Sequence, residues 1–366
     1  MGMNEKDGAQ SFLKSFVEQF ENPLGQDDPL PLAPLSRTVT LEEVKGESLD
    51  LGLRLLSARN APGWLSASMC HAAVTELLKD DLSPFHCPKD PEQQQEGEAE
   101  TVLLQSEPVQ RLFINKLREV GVAWQKQLPN PTPRSSRSRL CSVHAIRNTR
   151  RKMEDRHVIL PEFNRLFGLQ DGVEREYYAV FDGHGGRMRS GSTGVAVLLA
   201  ADWLTVSWLG DSQAMVVKKG EPVILMDPHK PEREDEKKRI EDLGGCIAFM
   251  GCWRVNGTYA VSRAIGDFDQ KPYVSNAADC SSVQLSGDED YVLLACDGFF
   301  DVLRPADVPA LVLEALREAG GSGENVAQSL VAQAKAAGSS DNITVLLVFL
   351  HEPRDLLLSE TTAGQV

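Results

Sequence analysis

The sequence predicts an α+β fold, two packed sheets with helices outside them, preceded by a helical N-terminal region. Three observations carry this. Short β-branched and aromatic runs dominate beyond residue 140, amphipathic helical patterns cluster late in that stretch, and before residue 129 the recurring pattern is helical.

Phe12, Leu13, Phe16, Val17 and Phe20 fall on one helical face, and Asn22-Pro23-Leu24-Gly25 stops the helix. Further helices are expected over 41–56, 66–78 and 109–128, the last with Leu112, Phe113, Leu117, Val120 and Trp124 in register. Residues 89–100 are Asp, Glu, Gln and Gly with almost nothing to bury, and read as an acidic linker. Residues 129–139, rich in Pro, Ser and Arg, read as a second linker and the domain boundary. The expected organisation is a regulatory or partner-binding region over 1–128, a catalytic domain over 140–352 and a polar tail over 353–366. Because linkers separate the first region from the second, the second is expected to act on a short substrate without it. Within the catalytic domain, 232–243, 305–319 and 324–337 read as helices, the first closed by Gly244-Gly245 and the last by Gly338.

Composition narrows the function. A net charge of −15 and a pI near 5.0 argue against nucleic acid as a partner. The seven cysteines are scattered with no Cys-x-x-Cys pair, as in reduced proteins of the cytoplasm or nucleus. No apolar run is long enough to span a bilayer, so no membrane association is expected.

The informative feature is a recurrence. The strand-like run Tyr177–Phe181 meets Asp182-Gly183-His184-Gly185-Gly186; 204–209 stops at Gly210-Asp211-Ser212; 291–295 stops at Cys296-Asp297-Gly298; and Asp341-Asn342 precedes 343–350. A single Asp-Gly after a strand is usually a turn. Four strands with an aspartate at one end can instead bring those acids to one rim, where they would repel unless cations neutralised them. Oxygen ligands without His or Cys clusters favour Mg²⁺ or Mn²⁺ over zinc.

In chain order the motifs are Arg150-Arg151-Lys152-Met153-Glu154-Asp155, Phe181-Asp182-Gly183-His184-Gly185-Gly186, Ser190-Gly191-Ser192-Thr193 and Gly210-Asp211-Ser212. Then come Val261-Ser262-Arg263-Ala264-Ile265-Gly266-Asp267, Cys296-Asp297-Gly298-Phe299-Phe300-Asp301 and Asp341-Asn342. This set resembles the metal-dependent Ser/Thr protein phosphatases of the 2C type. The resemblance implies a β-sandwich of two antiparallel sheets flanked by helices, with two Mn²⁺ or Mg²⁺ ions, and a weaker third, at its edge. It implies that Asp182 bridges two ions, Gly183 offers its carbonyl, Glu154 holds a water on a metal, and Asp297 and Asp341 complete the first site. Asp211, with Asp297 and Asp301, matches the third position. Arg150, with Arg151 a near neighbour, would fork onto the substrate phosphate, and His184 would protonate the departing serine or threonine oxygen. Each has a plainer use: Asp155 and Asp301 could brace turns, Arg150 could form a surface ion pair, and His184 could be a satisfied rim histidine. The implied substrates are phosphorylated protein kinases, of the calmodulin-dependent and p21-activated kinds.

One departure stands out. Family members place two long helices between Asp-Gly-His-Gly-Gly and Ser-Gly-Ser/Thr-Thr, whereas Arg187-Met188-Arg189 alone fills that gap here. One helical layer is therefore expected to be missing. The short bridge is expected to strain the rim out of register, with ligands nearly in place, and leave activity low or absent. The alternative function is a catalytically impaired binding module acting through its N-terminal region.

Overall fold

A computed structural model describes residues 5–88, 102–129, 139–186 and 189–363. The acidic stretch 89–100, most of the second linker, and Arg187-Met188 lie outside the described residues. The chain divides into two compact units, one of residues 1–135 with 162–172, the other of 136–161 with 173–366.

In the first unit, helices α1 (Glu5–Gln19), α2 (Val44–Ser57), α3 (Gly63–Leu77) and α4 (Ser106–Lys126) surround a core that includes Phe16, Leu55, Met69, Phe113 and Leu117. Strands β1 (Thr38–Thr40) and β2 (Leu103–Gln105) pair beside them. The loop after α1 is tied to α4 through its carbonyls. Arg111 donates to Gly25 and Asp28, and Arg118 donates to Phe20 at 2.7 Å.

This unit also includes a short helix, α5 (Phe163–Phe167), from the middle of the chain. Leu166 is buried there, its carbonyl lies 3.2 Å from the His71 ring, and the Lys45 ammonium sits 5.7 Å from the Phe167 ring centre.

The second unit is a sandwich of antiparallel sheets. Strands β3 (Cys141–Ile146), β4 (Arg156–Leu160), β5 (Arg175–Gly186), β6 (Arg189–Ala200), β7 (Trp203–Leu209), β8 (Gln213–Lys218) and β9 (Glu221–Ile224) supply most of it. After helix α6 (Glu234–Asp242) come the small hairpin β10 (Ile247–Phe249) and β11 (Trp253–Val255), then β12 (Ile265–Gly266) and β13 (Asp279–Gln284). β14 (Glu289–Ala295) leads through α7 (Asp297–Phe300), α8 (Val308–Glu318) and α9 (Val326–Ala336) to β15 (Ile343–Phe349) and α10 (Pro353–Ala363). One sheet runs β13-β7-β6-β5-β4, with β12 also on β6; the other runs β3-β15-β14-β8-β9.

Alternation explains the layers. Tyr178, Val180, Val195 and Val197 point between the sheets and meet Val216, Val292, Leu294 and Leu346. Leu293, Val345 and Leu347 point the other way, under α8 and α9, where Val312, Leu316 and Leu330 cover them. On the outer face of the first sheet, Tyr177, Phe181 and Leu198 are half-buried and Trp203 is exposed.

Two expectations change. The tail forms helix α10 because Leu356 and Leu357 pack against the core under α8, where a polar tail was expected. And β5 does not stop at Asp182. It continues to Gly186 and pairs with β6 through twelve consecutive positions, from Arg175↔Ala200 to Gly186↔Arg189, with Asp182 opposite Thr193. The short bridge joins neighbouring strands of one sheet, and their pairing runs unbroken up to it.

Candidate metal centre

Strands place the acids, Asp182 from within one and the others beside strand ends. β5 carries Asp182, β7 ends at Gly210-Asp211, β14 runs through Cys296 into Asp297 at the start of α7, and Asp341 stands just before β15. Asp155 immediately precedes β4. Gly183 permits a close approach: a Cβ there would stand 2.7 Å from the carbonyl oxygen of Glu154. Asn342 fixes the segment that brings in Asp155. Its side-chain oxygen accepts from the Glu154 N–H at 2.8 Å, and its amide donates to the carbonyls of Arg147 and Lys152 at 2.8 and 3.0 Å.

The strand ends bring the carboxyls together. One ligand atom each from Asp155, Asp182 and Cys296 lies within 4.8 Å of the others. Burial first, then Asp297 and Asp155, push the Asp182 carboxyl up to about 10. Burial and then Asp297 bring Asp211 up to about 7, with Lys230 pulling the other way. Burial raises Asp155 and Asp297 as well; Asp341 adds to both, and Asp301 also adds to Asp297. Groups that raise one another in this way are poised for a cation, which would favour their charged forms.

Two carboxylate oxygens at this rim are orphaned. Oδ1 of Asp155 and Oδ1 of Asp297 are buried and accept no hydrogen bond from the described residues. Buried carboxylate oxygens without donors suit hard divalent ions. Burial and the neighbouring aspartates hold the Cys296 thiol far above its ordinary value, and soft sulfur is a poor match for a hard divalent ion.

The remaining site residues sit around this group. Arg150 forms an ion pair with Asp341. Glu154 is exposed and is used at the rim through its backbone. Asp301, exposed, pairs with Lys230 at 3.4 Å. His184 Nε2 lies 2.7 Å from Oδ2 of the fully buried Asp267. Two residues at this rim went unassigned in the sequence. Asp155 adjoins the acid that the motif points to, and Asp267 ends the Val261–Asp267 motif with no role attached.

A protein-family model described as Protein phosphatase 2C matches residues 139–190 and 187–343. The chain belongs to the protein phosphatase 2C family. It is 46% identical to human Protein phosphatase 1F over 399 positions, which cover 94% of this chain and 88% of that one. It is 43% identical to human Protein phosphatase 1E, covering 88% of this chain and 48% of the relative. Among solved structures, one titled as a C. elegans sex determining protein superposes with a TM-score of 0.68 at 21% identity, over 97% of this chain and 98% of that one. A Toxoplasma gondii phosphatase superposes with a TM-score of 0.51 at 22% identity, over 58% and 92%. These two likenesses concern the fold.

Family membership makes the chain a metal-dependent protein serine/threonine phosphatase, and its substrates phosphoproteins. The two family matches overlap at 187–190. In the human 1F comparison, 94% of 366 residues is about 344, so about 55 of the 399 positions belong to the relative alone. Among the described residues, no helix is long and apolar enough to cross a membrane.

Proposed function

We propose that this chain hydrolyses phosphoserine and phosphothreonine in proteins at a two-ion Mn²⁺ or Mg²⁺ centre built on Asp182, with Asp155, Asp297, Asp341 and the Gly183 carbonyl around it. Asp211 and Asp301 are assigned to a weaker third ion. The observation that carries this reading is the pair of buried, unpartnered carboxylate oxygens, on Asp155 and Asp297, at the rim where the strand ends converge. When bound, the ions activate the attacking water and neutralise charge building on the phosphoryl oxygens.

The chain's own residues do the rest. Arg150, held beside the centre by Asp341, presents a planar fork that matches two phosphate oxygens. His184, with its ring partly exposed and anchored on one nitrogen, gives a proton to the departing serine or threonine oxygen. The substrates we assign are phosphorylated protein kinases of the calmodulin-dependent and related kinds, on the strength of the sequence resemblance. The helical unit is assigned to protein partners.

The test separates binding from chemistry. Asp182→Ala should lose Mn²⁺ binding and turnover together, whereas His184→Gln should keep Mn²⁺ binding and lose turnover. An Asp182→Ala protein that binds Mn²⁺ like the wild type would reject the centre.

A further inference from the structure

We propose that Asp267 is a positioning residue for His184, holding Nε2 of the imidazole so that Nδ1 is the ring nitrogen presented to the substrate; this rests on His184 being the proton donor. The two side chains meet at 2.7 Å, and Asp267 is fully buried while about a third of the His184 side chain is open to solvent. The carboxylate is the fixed partner and the ring is the one that could turn.

Three strands build this contact. His184 on β5 pairs with Gly191 on β6, and Gly191 pairs on its other side with Gly266 on β12, so Asp267 is the next residue along. Its N–H donates to the Ser190 carbonyl at 3.1 Å, and its backbone sits in the left-handed region at φ +49°. The carboxylate lies against the bare Cα of Gly191, where a Cβ would stand 2.3–2.5 Å from it. A side chain at 191 would push the carboxylate aside.

Oδ1 of Asp267 is buried and unpartnered among the described residues, which leaves the His184 ring as the donor seen at this carboxylate. A carboxylate accepts, so Nε2 carries its hydrogen toward Asp267. In the reaction the ring begins with a hydrogen on both nitrogens; as the oxygen of the attacking water bonds to phosphorus, the P–O bond to the ester oxygen breaks with its electron pair going to the serine or threonine oxygen. That oxygen takes the proton from Nδ1, and the ring keeps Nε2–H on Asp267. The buried acceptor thereby fixes both the ring plane and the nitrogen that acts.

The experiment uses the full chain with ¹⁵N-labelled histidine, above the ordinary imidazole range, together with Asp267→Asn and His184→Gln. Asparagine matches aspartate in size and tolerates positive φ, so the substitution suits the fold. Ring ¹⁵N shifts should show His184 as the Nε2–H tautomer in the wild type and a population of Nδ1–H in Asp267→Asn. With Mn²⁺, Asp267→Asn should lower turnover of a phosphothreonine peptide by about tenfold or more. It should change turnover of p-nitrophenyl phosphate, whose leaving group needs no proton, by less than about twofold. A wild-type Nδ1–H tautomer, or an unchanged tautomer in Asp267→Asn, overturns the proposal. So does an equal fall on both substrates, which a merely structural role would give. His184→Gln that leaves peptide turnover unchanged would instead reject the donor role under the proposed function, while the tautomer still decides whether Asp267 holds the ring.

Discussion

The hydroxyl of Thr344 donates to Oδ2 of Asp155 at 2.7 Å, with both groups buried. Thr344 lies in β15 of one sheet, and Asp155 immediately precedes β4 of the other. The bond therefore ties the two layers together at the rim and aims Asp155 at Asp182. Thr344→Val keeps the shape and removes the donor. Leaving a buried carboxyl without its hydrogen bond costs about 1–3 kcal/mol. Thermal unfolding should show a melting temperature lower by about 2 °C or more, with weaker Mn²⁺ binding. An unchanged melting temperature would show that Asp155 is held by something else.

Stability without metal should fall as pH rises. The unfolded chain releases the protons of Asp182 and Asp211 near pH 4, whereas the folded chain keeps them to about 10 and about 7. Above pH 4 the native state binds more protons, so stability declines as pH climbs through 7 for Asp211 and onward to 10 for Asp182. In excess chelator the melting temperature should drop between pH 5 and 8, and Mn²⁺ should flatten that slope. A melting temperature that rises over this range in chelator would contradict the raised acids.

Residues 162–172 are grouped with the helical unit although they lie between two strands of the other unit in the chain. α5 belongs to that unit, yet it is the connection between β4 and β5, and β5 carries Asp182. Removing residues 1–138 takes away α3, whose His71 meets the Leu166 carbonyl, and bares Leu166. Contrary to the expectation from the linkers, the truncated protein should unfold at a lower temperature and lose Mn²⁺-dependent peptide turnover. Full turnover and an unaltered melting temperature would show that α5 stands without the helices.

The acids were legible in the sequence because each follows or precedes a run of β-branched residues, and a strand end is a local property. Which of Glu154 and Asp155 turns inward was not legible, since that depends on where β4 begins and on the distant Thr344 and Asn342. The continuation of β5 through Gly183-His184-Gly185-Gly186 was hidden for another reason. Glycines read as a turn, and only their pairing with 189–192 makes them a strand. Helices α2, α3, α4, α8 and α9 lie within a few residues of their periodic patterns. The membership of α5 in the other unit rests on contacts some ninety residues apart in sequence, such as Leu166 with His71, which no local pattern encodes.

The central claim is that the centre is assembled in this chain despite the short connection between β5 and β6. The direct measurement is phosphate release from a phosphothreonine peptide by the full chain, with Mn²⁺ and with excess chelator, beside Asp182→Asn. Release should require Mn²⁺, vanish in chelator and fall by at least about a hundredfold in Asp182→Asn. No release at saturating Mn²⁺ from a folded protein, or equal release in chelator, would contradict it.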